Sequence, residues 1–260
     1  MQHQEFEPPE ELRGAIKCFW WNRIDFGELL SSFEVLPDGY AEIIFHFGGA
    51  CCILDNGELQ PLPSPFLMGL LDQPVMLSTN RLDIIGVRCF PWTVFDLLGL
   101  PSSQDKVRIF EHPIVQLQSA LNKQVRDGRI EDALDQLKEY FWNARSRIAI
   151  DSMLFDAGIA MREANGAMPI RQVAAAVHAT VRTLERKFKQ SSGYTVKDVS
   201  GLMRFEQVRN QLWLSPNSSI ADVAYELGYT DQSHLSREFK RYAGVAPGAF
   251  VRKAREAKKL

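Results

Sequence analysis

Between residues 31 and 90 the apolar positions come in short runs broken by turn residues. "SFEVLPDGYAEIIFHFGG" is one run, a Pro-Asp-Gly turn and a second run closed by two glycines. "CCILDNGELQPL" sets Asn-Gly between short apolar segments, and "VMLSTNRLDIIGVRCF" holds two more runs across a turn. Runs of this length, punctuated by Gly, Pro and Asn, predict β-strands, and the Asn-Gly pair predicts a hairpin. Short strands at such spacing suggest a β-sandwich or barrel. The period then changes. "PWTVFDLLGLP", "IVQLQSALNKQV" and "IEDALDQLKEYFWNA" carry apolar residues three and four apart, the mark of helices packed on one face. Residues around 145–165 are expected to lead into a second domain as its first helix.

From Met168 onward the strand pattern is gone and short helices alternate with tight turns. Pro169 stands at a helix start, and Ile170, Val173, Ala174 and Val177 form one face. Thr180 is placed to cap the next helix, and Ser219 a later one. A longer helix follows Val196, weakened by Gly201 and stopped before Pro216. Gly228 ends another, and "PGAFVRKAREAKKL" is a basic closing helix.

Part of this pattern repeats. Ile170, Val173, Ala174, Val177 and Thr180 fall on Ile220, Val223, Ala224, Leu227 and Thr230 at a separation of 50. After one inserted residue, Leu184, Arg186, Phe188 and Gly193 fall on Leu235, Arg237, Phe239 and Gly244 at 51. Each copy is a short helix, a turn and a second helix, which is a helix-turn-helix. At about 100° per residue, Leu235 and Phe239 share one face while Ser233 and Arg237 share the opposite one. In the first copy Leu184 and Phe188 likewise oppose Arg182 and Arg186. Burying the apolar side leaves the arginines facing solvent or a groove, and arginine suits a bidentate contact with guanine O6 and N7.

Charge separates the same two halves. Residues 166–260 hold 16 Lys/Arg against 8 Asp/Glu, while residues 1–165 hold 14 against 24. The net charge of −2 therefore hides a basic C-terminal part, which points to a polyanionic partner. Cys18, Cys51, Cys52 and Cys89 show no metal-ligand spacing and read as small apolar residues in a reduced compartment. No apolar run is long enough for a bilayer, and the N-terminus is acidic and polar, so a cytoplasmic protein is expected. Nucleotide-binding loops, zinc-protease signatures and nucleophile elbows are absent from the sequence, so no enzyme, cofactor or metal is expected.

Residues 168–251 resemble the DNA-binding domain of the AraC/XylS family of bacterial transcription regulators. The likeness is carried by "IADVAYELGYTDQSHLSREFKRYAGVAPGAF", "TLERKFKQSSG" and "RFEQVRNQL". Residues 1–145 more loosely resemble an uncharacterised domain that often precedes it, through "FEVLPDGYAEIIFHFGG" and "FLMGLLDQPV…IIGVRCFPW". Two departures stand out: His178 occupies a position where the family often has a turn glycine, and Val196 one where proline is common.

The resemblance implies an α+β protein of two domains. Residues 1–147 would be a small cupin-like β-barrel or sandwich with added helices, acting as a sensor or dimerisation domain. Residues 148–260 would be all-α, two helix-turn-helix units joined by a linker helix that lets both reading helices enter successive major grooves of DNA. Base contacts then fall to Arg182, Glu185, Arg186, Ser233, His234 and Arg237, with pairing to Lys189 the other reading of Glu185. Phosphate contacts fall to Lys187, Lys189, Arg204, Arg209, Lys240 and Arg241, each also readable as a solvated basic residue. An effector pocket would draw on Trp20, Glu34, Glu42, His46 and Arg88. Double-stranded DNA is the expected partner, with RNA polymerase, a small-molecule effector and a second copy of the chain as further candidates; no membrane is.

Overall fold

The computed structural model describes residues 2–145 and 151–257. The chain divides into two compact units. The first takes in most of residues 1–150, and the second takes in 151–260 with two short loop segments, 36–39 and 71–74. The boundary expected between 147 and 148 lies outside the described residues.

Among the described residues the first unit is built on ten strands: β1 (Gln2–Phe6), β2 (Ile16–Asp25), β3 (Ser31–Val35), β4 (Ala41–Gly48), β5 (Cys52–Asp55), β6 (Glu58–Pro61), β7 (Phe66–Met68), β8 (Val75–Thr79), β9 (Arg81–Cys89) and β10 (Val107–Arg108). They form a six-stranded sheet in the order β1-β2-β9-β4-β7-β10 and a four-stranded sheet in the order β3-β8-β5-β6. The predicted hairpin is β5–β6, turned at Asn56 (φ 50°) and Gly57 (φ 85°), as an Asn-Gly turn with both central φ angles positive requires.

Central strand β9 pairs with β2 on one side and β4 on the other, so Trp21, Ile85 and Phe45 lie side by side. Alternation then sorts the residues of this sheet. Phe19, Trp21, Ile43, Phe45, Ile85 and Val87 face one way and join Leu121, Val125, Leu134, Leu137 and Phe141 in a single buried core. Those last five lie on α2 (Gln118–Arg126) and α3 (Ile130–Ala144), which follow the short α1 (Val94–Leu97). The opposite face carries Trp20, Asn22, Glu42, Ile44 and Ile84, and meets Phe33 and Leu77 of the second sheet. The unit is thus a two-sheet sandwich with helices on one outer side.

The second unit is all-helical: α4 (Ser152–Glu163), α5 (Ile170–Ala176), α6 (Val181–Ser192), α7 (Val196–Leu214), α8 (Ile220–Glu226), α9 (Gln232–Ala243) and α10 (Pro247–Ala257). Thr180 accepts from the Thr183 N–H (3.1 Å) to start α6, and Ser219 from the Asp222 N–H (3.4 Å) to start α8. Gly193 and Gly244 close α6 and α9 in the left-handed conformation that a Cβ penalises. Val173 and Ala174 are buried with Leu184 and Phe188, and Val223 and Ala224 with Leu235 and Phe239, as the repeat requires.

Candidate nucleic-acid interface

Each unit of the repeat packs the apolar face of its second helix inward and leaves a polar row outside. On α6 that row is Arg182, Arg186, Lys189 and Gln190, and on α9 it is Ser233, Arg237, Lys240 and Arg241, all exposed. At the separation of 51, Arg182 matches Ser233, Arg186 matches Arg237 and Lys189 matches Lys240. The inserted residue has a structural meaning. Helix α6 is capped by Thr180 and α9 by its match at 51, Asp231, which accepts from the His234 N–H at 2.7 Å, so the insertion falls in the turn ahead of the cap. The displaced Thr230 instead holds its hydroxyl 3.0 Å from Nδ1 of His234. His234, whose ring also meets Tyr229 edge-on, is therefore half-buried at the helix start and less open than Ser233 or Arg237.

Glu185 is not on the open row. Its Oε2 accepts from the Val196 N–H at 3.2 Å, tying α6 to the first turn of α7. A proline at 196 would have no N–H to give, so the departure at Val196 and the placement of Glu185 explain each other. Thr195 and Asp198 complete the entry with a reciprocal capping box. The expected Glu185–Lys189 pair does not form. Lys189 Nζ donates to the Gly193 carbonyl at 2.7 Å, satisfying the C-terminal end of α6.

Two of the six residues expected at phosphates are internal ties. Lys187 pairs with Asp151, which also caps α4 through the Leu154 N–H. Burial by itself would raise the Asp151 carboxyl, but the Lys187 ammonium and the N–H bonds outweigh it and hold it low. Arg204 of α7 donates from Nε and Nη2 to both carboxylate oxygens of Glu238 (3.3 and 3.0 Å) and from Nη1 to the Gly166 carbonyl (2.7 Å). Tyr229 donates to the same Glu238 at 2.8 Å. Burial opposes the Arg204 charge, and Glu238 more than restores it. Burial first, then the neighbouring carboxylate, raises the Tyr229 phenol far above its ordinary value, so it stays a donor. Lys187 and Glu238 match at the separation of 51. One helical position thus ties the second helix of each repeat copy to a neighbour with charges of opposite sign.

Of the remaining basic residues, Arg209 donates to the Pro37 carbonyl at 2.8 Å, and Arg241 lies 3.6 Å from Asp198 while staying exposed. Lys240 is exposed at the last turn of α9.

In the first unit a cavity of about 150 Å³ lies between the two sheets. Of the five residues expected there it gathers Trp20 and Glu42. Trp20 Nε1 and Arg88 Nε both donate to Glu42 Oε1, at 3.2 and 2.7 Å, so Arg88 acts behind the wall. Glu34 points outward from β3, and His46 turns to the Leu62 carbonyl, with Nε2 at 3.1 Å. Neither lines the cavity. Asn22, on the same face of β2 as Trp20, does line it. Among the described residues no group of three His, Cys, Asp or Glu could hold a metal, and no helix is long and apolar enough to cross a membrane.

Comparison with known proteins follows this division. A family model described as a helix-turn-helix domain matches residues 173–253, and the domain of unknown function DUF6597 matches residues 4–117. The HTH-type transcriptional activator RhaS of Yersinia pestis (strain Pestoides F) is 39% identical over 67 residues, 26% of this chain and 24% of that protein. RhaS of Yersinia pseudotuberculosis serotype O:1b (strain IP 31758) gives the same figures. The chain thus spans about a quarter of the length of these relatives. Among solved structures, unsaturated fatty acid-bound wild-type ToxT from Vibrio cholerae strain SCE256 superposes with a TM-score of 0.51 at 15% identity, over 90% of this chain and 94% of that one. That likeness extends to the two-domain fold.

Proposed function

We propose that this chain, whose C-terminal part is an AraC-type helix-turn-helix domain behind a DUF6597 domain, is a sequence-specific DNA-binding transcription regulator. The observation that carries the reading is the pair of matched polar rows, Arg182–Arg186–Lys189 and Ser233–Arg237–Lys240, each on the second helix of its own helix-turn-helix. Arg182, Arg186, Ser233 and Arg237 read base edges, with His234 at the margin. Lys189, Arg209, Lys240 and Arg241 hold phosphates. Base contacts discriminate while phosphate contacts supply salt-dependent affinity. Lys187, Arg204 and Glu185 set the helices in place and touch no DNA.

Two reading helices on one chain address an asymmetric site in two blocks, about ten base pairs apart, without dimerisation. The first domain governs this activity from the cytoplasm by taking up a small molecule, and the output passes to RNA polymerase. The relatives named above support this: RhaS is an activator by name, and ToxT is seen with a fatty acid. A first domain that only dimerises or holds a protein partner is the second reading, favoured by the apolar Leu54 and Leu59 facing each other, exposed, on β5 and β6.

Selection of bound fragments from a random DNA pool tests the proposal. Enrichment of a two-block motif spaced by one helical turn is the expected result. Retention of all sequences alike, or of none, overturns it.

A further inference from the structure

The cavity between the sheets has walls of two kinds. Phe66, Leu77, Ile84 and most of its lining are apolar, while Trp20, Asn22 and Glu42 bring polar atoms to it. Gly86 makes room for the Trp20 indole: a Cβ there would lie 2.1 Å from Cε2 of the ring. The polar groups differ in how they are met. Glu42 accepts from Trp20 and Arg88, so its charge is already countered. Asn22 Oδ1 is buried and has no hydrogen-bond partner. A buried carbonyl oxygen without a donor is costly to keep, and it is an acceptor only.

Size and chemistry therefore select one class of occupant. An apolar cavity of about 150 Å³ holds a single benzene-sized ring. A hydroxyl or N–H on that ring would satisfy Asn22. An anion would bring Asn22 Oδ1 no donor and would lose its hydration in an apolar setting, so it is excluded. We infer that the first domain binds a small uncharged molecule, one six-membered ring in size with a single hydrogen-bond donor, seated between the sheets with its donor on Asn22 Oδ1. This rests on the reading of the first domain as a sensor and names the ligand class it senses.

Thermal denaturation of the full chain with three probes tests the seat. Benzyl alcohol carries ring and donor, toluene lacks the donor, and benzoate is an anion. Benzyl alcohol at ten times its Kd is expected to raise the melting temperature of the first unit by about 3 °C. Toluene should do less and benzoate nothing. Leu77→Phe, which fills the cavity, should abolish the shift. Asn22→Leu should make benzyl alcohol no better than toluene, and it decides the matter if Leu77→Phe does not fold. No shift in the wild type, or an undiminished benzyl alcohol preference in Asn22→Leu, overturns the seat. DNA affinity measured with and without benzyl alcohol separates the two readings. A thermal shift with unchanged DNA affinity upholds the seat and removes its sensing role. Lack of DNA binding in every state defeats the DNA reading and leaves the thermal result standing.

Discussion

Arg204 and Glu238, 34 residues apart, meet through two hydrogen bonds that join α7 to α9. Tyr229 adds a third bond to the same carboxylate, and Gly166 takes the remaining arm of the guanidinium. Arg204→Ala leaves Glu238 half-buried without its cation and is expected to cost about 2–4 kcal/mol of stability. Urea denaturation measures this. DNA binding should fall without any change in base preference or in salt slope.

Arg237 and Lys240 lie one turn apart on the open row of α9, and their loss should read differently. Arg237→Ala is expected to cost about 1–3 kcal/mol and to relax preference at one position of the site. Lys240→Ala should weaken binding to all sequences equally and lower the salt slope by about one. Titrations at several salt concentrations against selected and scrambled sites separate the two. Unchanged preference in Arg237→Ala would mean that the wrong face of α9 has been assigned to the bases.

Gly201 sits mid-helix in α7, where alanine ordinarily gains about 1 kcal/mol. Here its Cβ would lie 2.7 Å from the Tyr242 hydroxyl, on a ring buried against Phe205. Gly201→Ala is expected to be destabilising by about 1–2 kcal/mol despite the propensity gain. Adding Tyr242→Phe removes the clashing oxygen and should recover most of that loss. Melting curves of the single and double variants decide it.

His178 holds φ 52° where the second copy of the repeat has Gly228 at 73°. Left-handed backbone costs a residue with a Cβ about 1 kcal/mol or more, so His178→Gly should stabilise the second unit by roughly that amount. A melting temperature at or below that of the wild type would show that the imidazole compensates the turn.

His46 and His112 both sit below the usual histidine value because burial penalises the imidazolium; for His46, backbone contacts with Leu62 and Pro63 offset only part of this. Below about pH 6.5 the unfolded chain takes up protons that these two sites resist. The unfolded state then binds more protons, so stability should fall as pH drops through that value and level off once the folded sites protonate. Denaturation at pH 7.5 and 5.5 gives the slope, and His46→Gln should flatten it.

The sequence made the second unit legible because its determinants are local. Leu184 and Phe188 recur as Leu235 and Phe239, Thr180 and Ser219 announce helix starts, and α7 stops just before Pro216. Its ion pairs were not legible. Lys187 finds Asp151 and Arg204 finds Glu238 across 36 and 34 residues, and helical periodicity says only which way a side chain points. In the first unit, Asn-Gly marked its hairpin, but β1 and β2 carry no such signal. β1 is a polar edge strand, and β2 is buried on both faces around Cys18–Trp21, which removes the alternation that identifies a strand. Asn22 stayed hidden for the same reason: it shares the face of Trp20 only once β2 is recognised as a strand.

The shared position of Lys187 and Glu238 bears on redesign. A chimera that transplants residues 232–243 into the first copy of the repeat would keep its cap, because Thr180 and Asp231 are themselves 51 apart and the incoming helix would follow Thr180 in step. It would, however, place glutamate where Asp151 requires a cation. Exchange of specificity between the two heads therefore has to proceed residue by residue along the open rows, with each helix kept on its own scaffold.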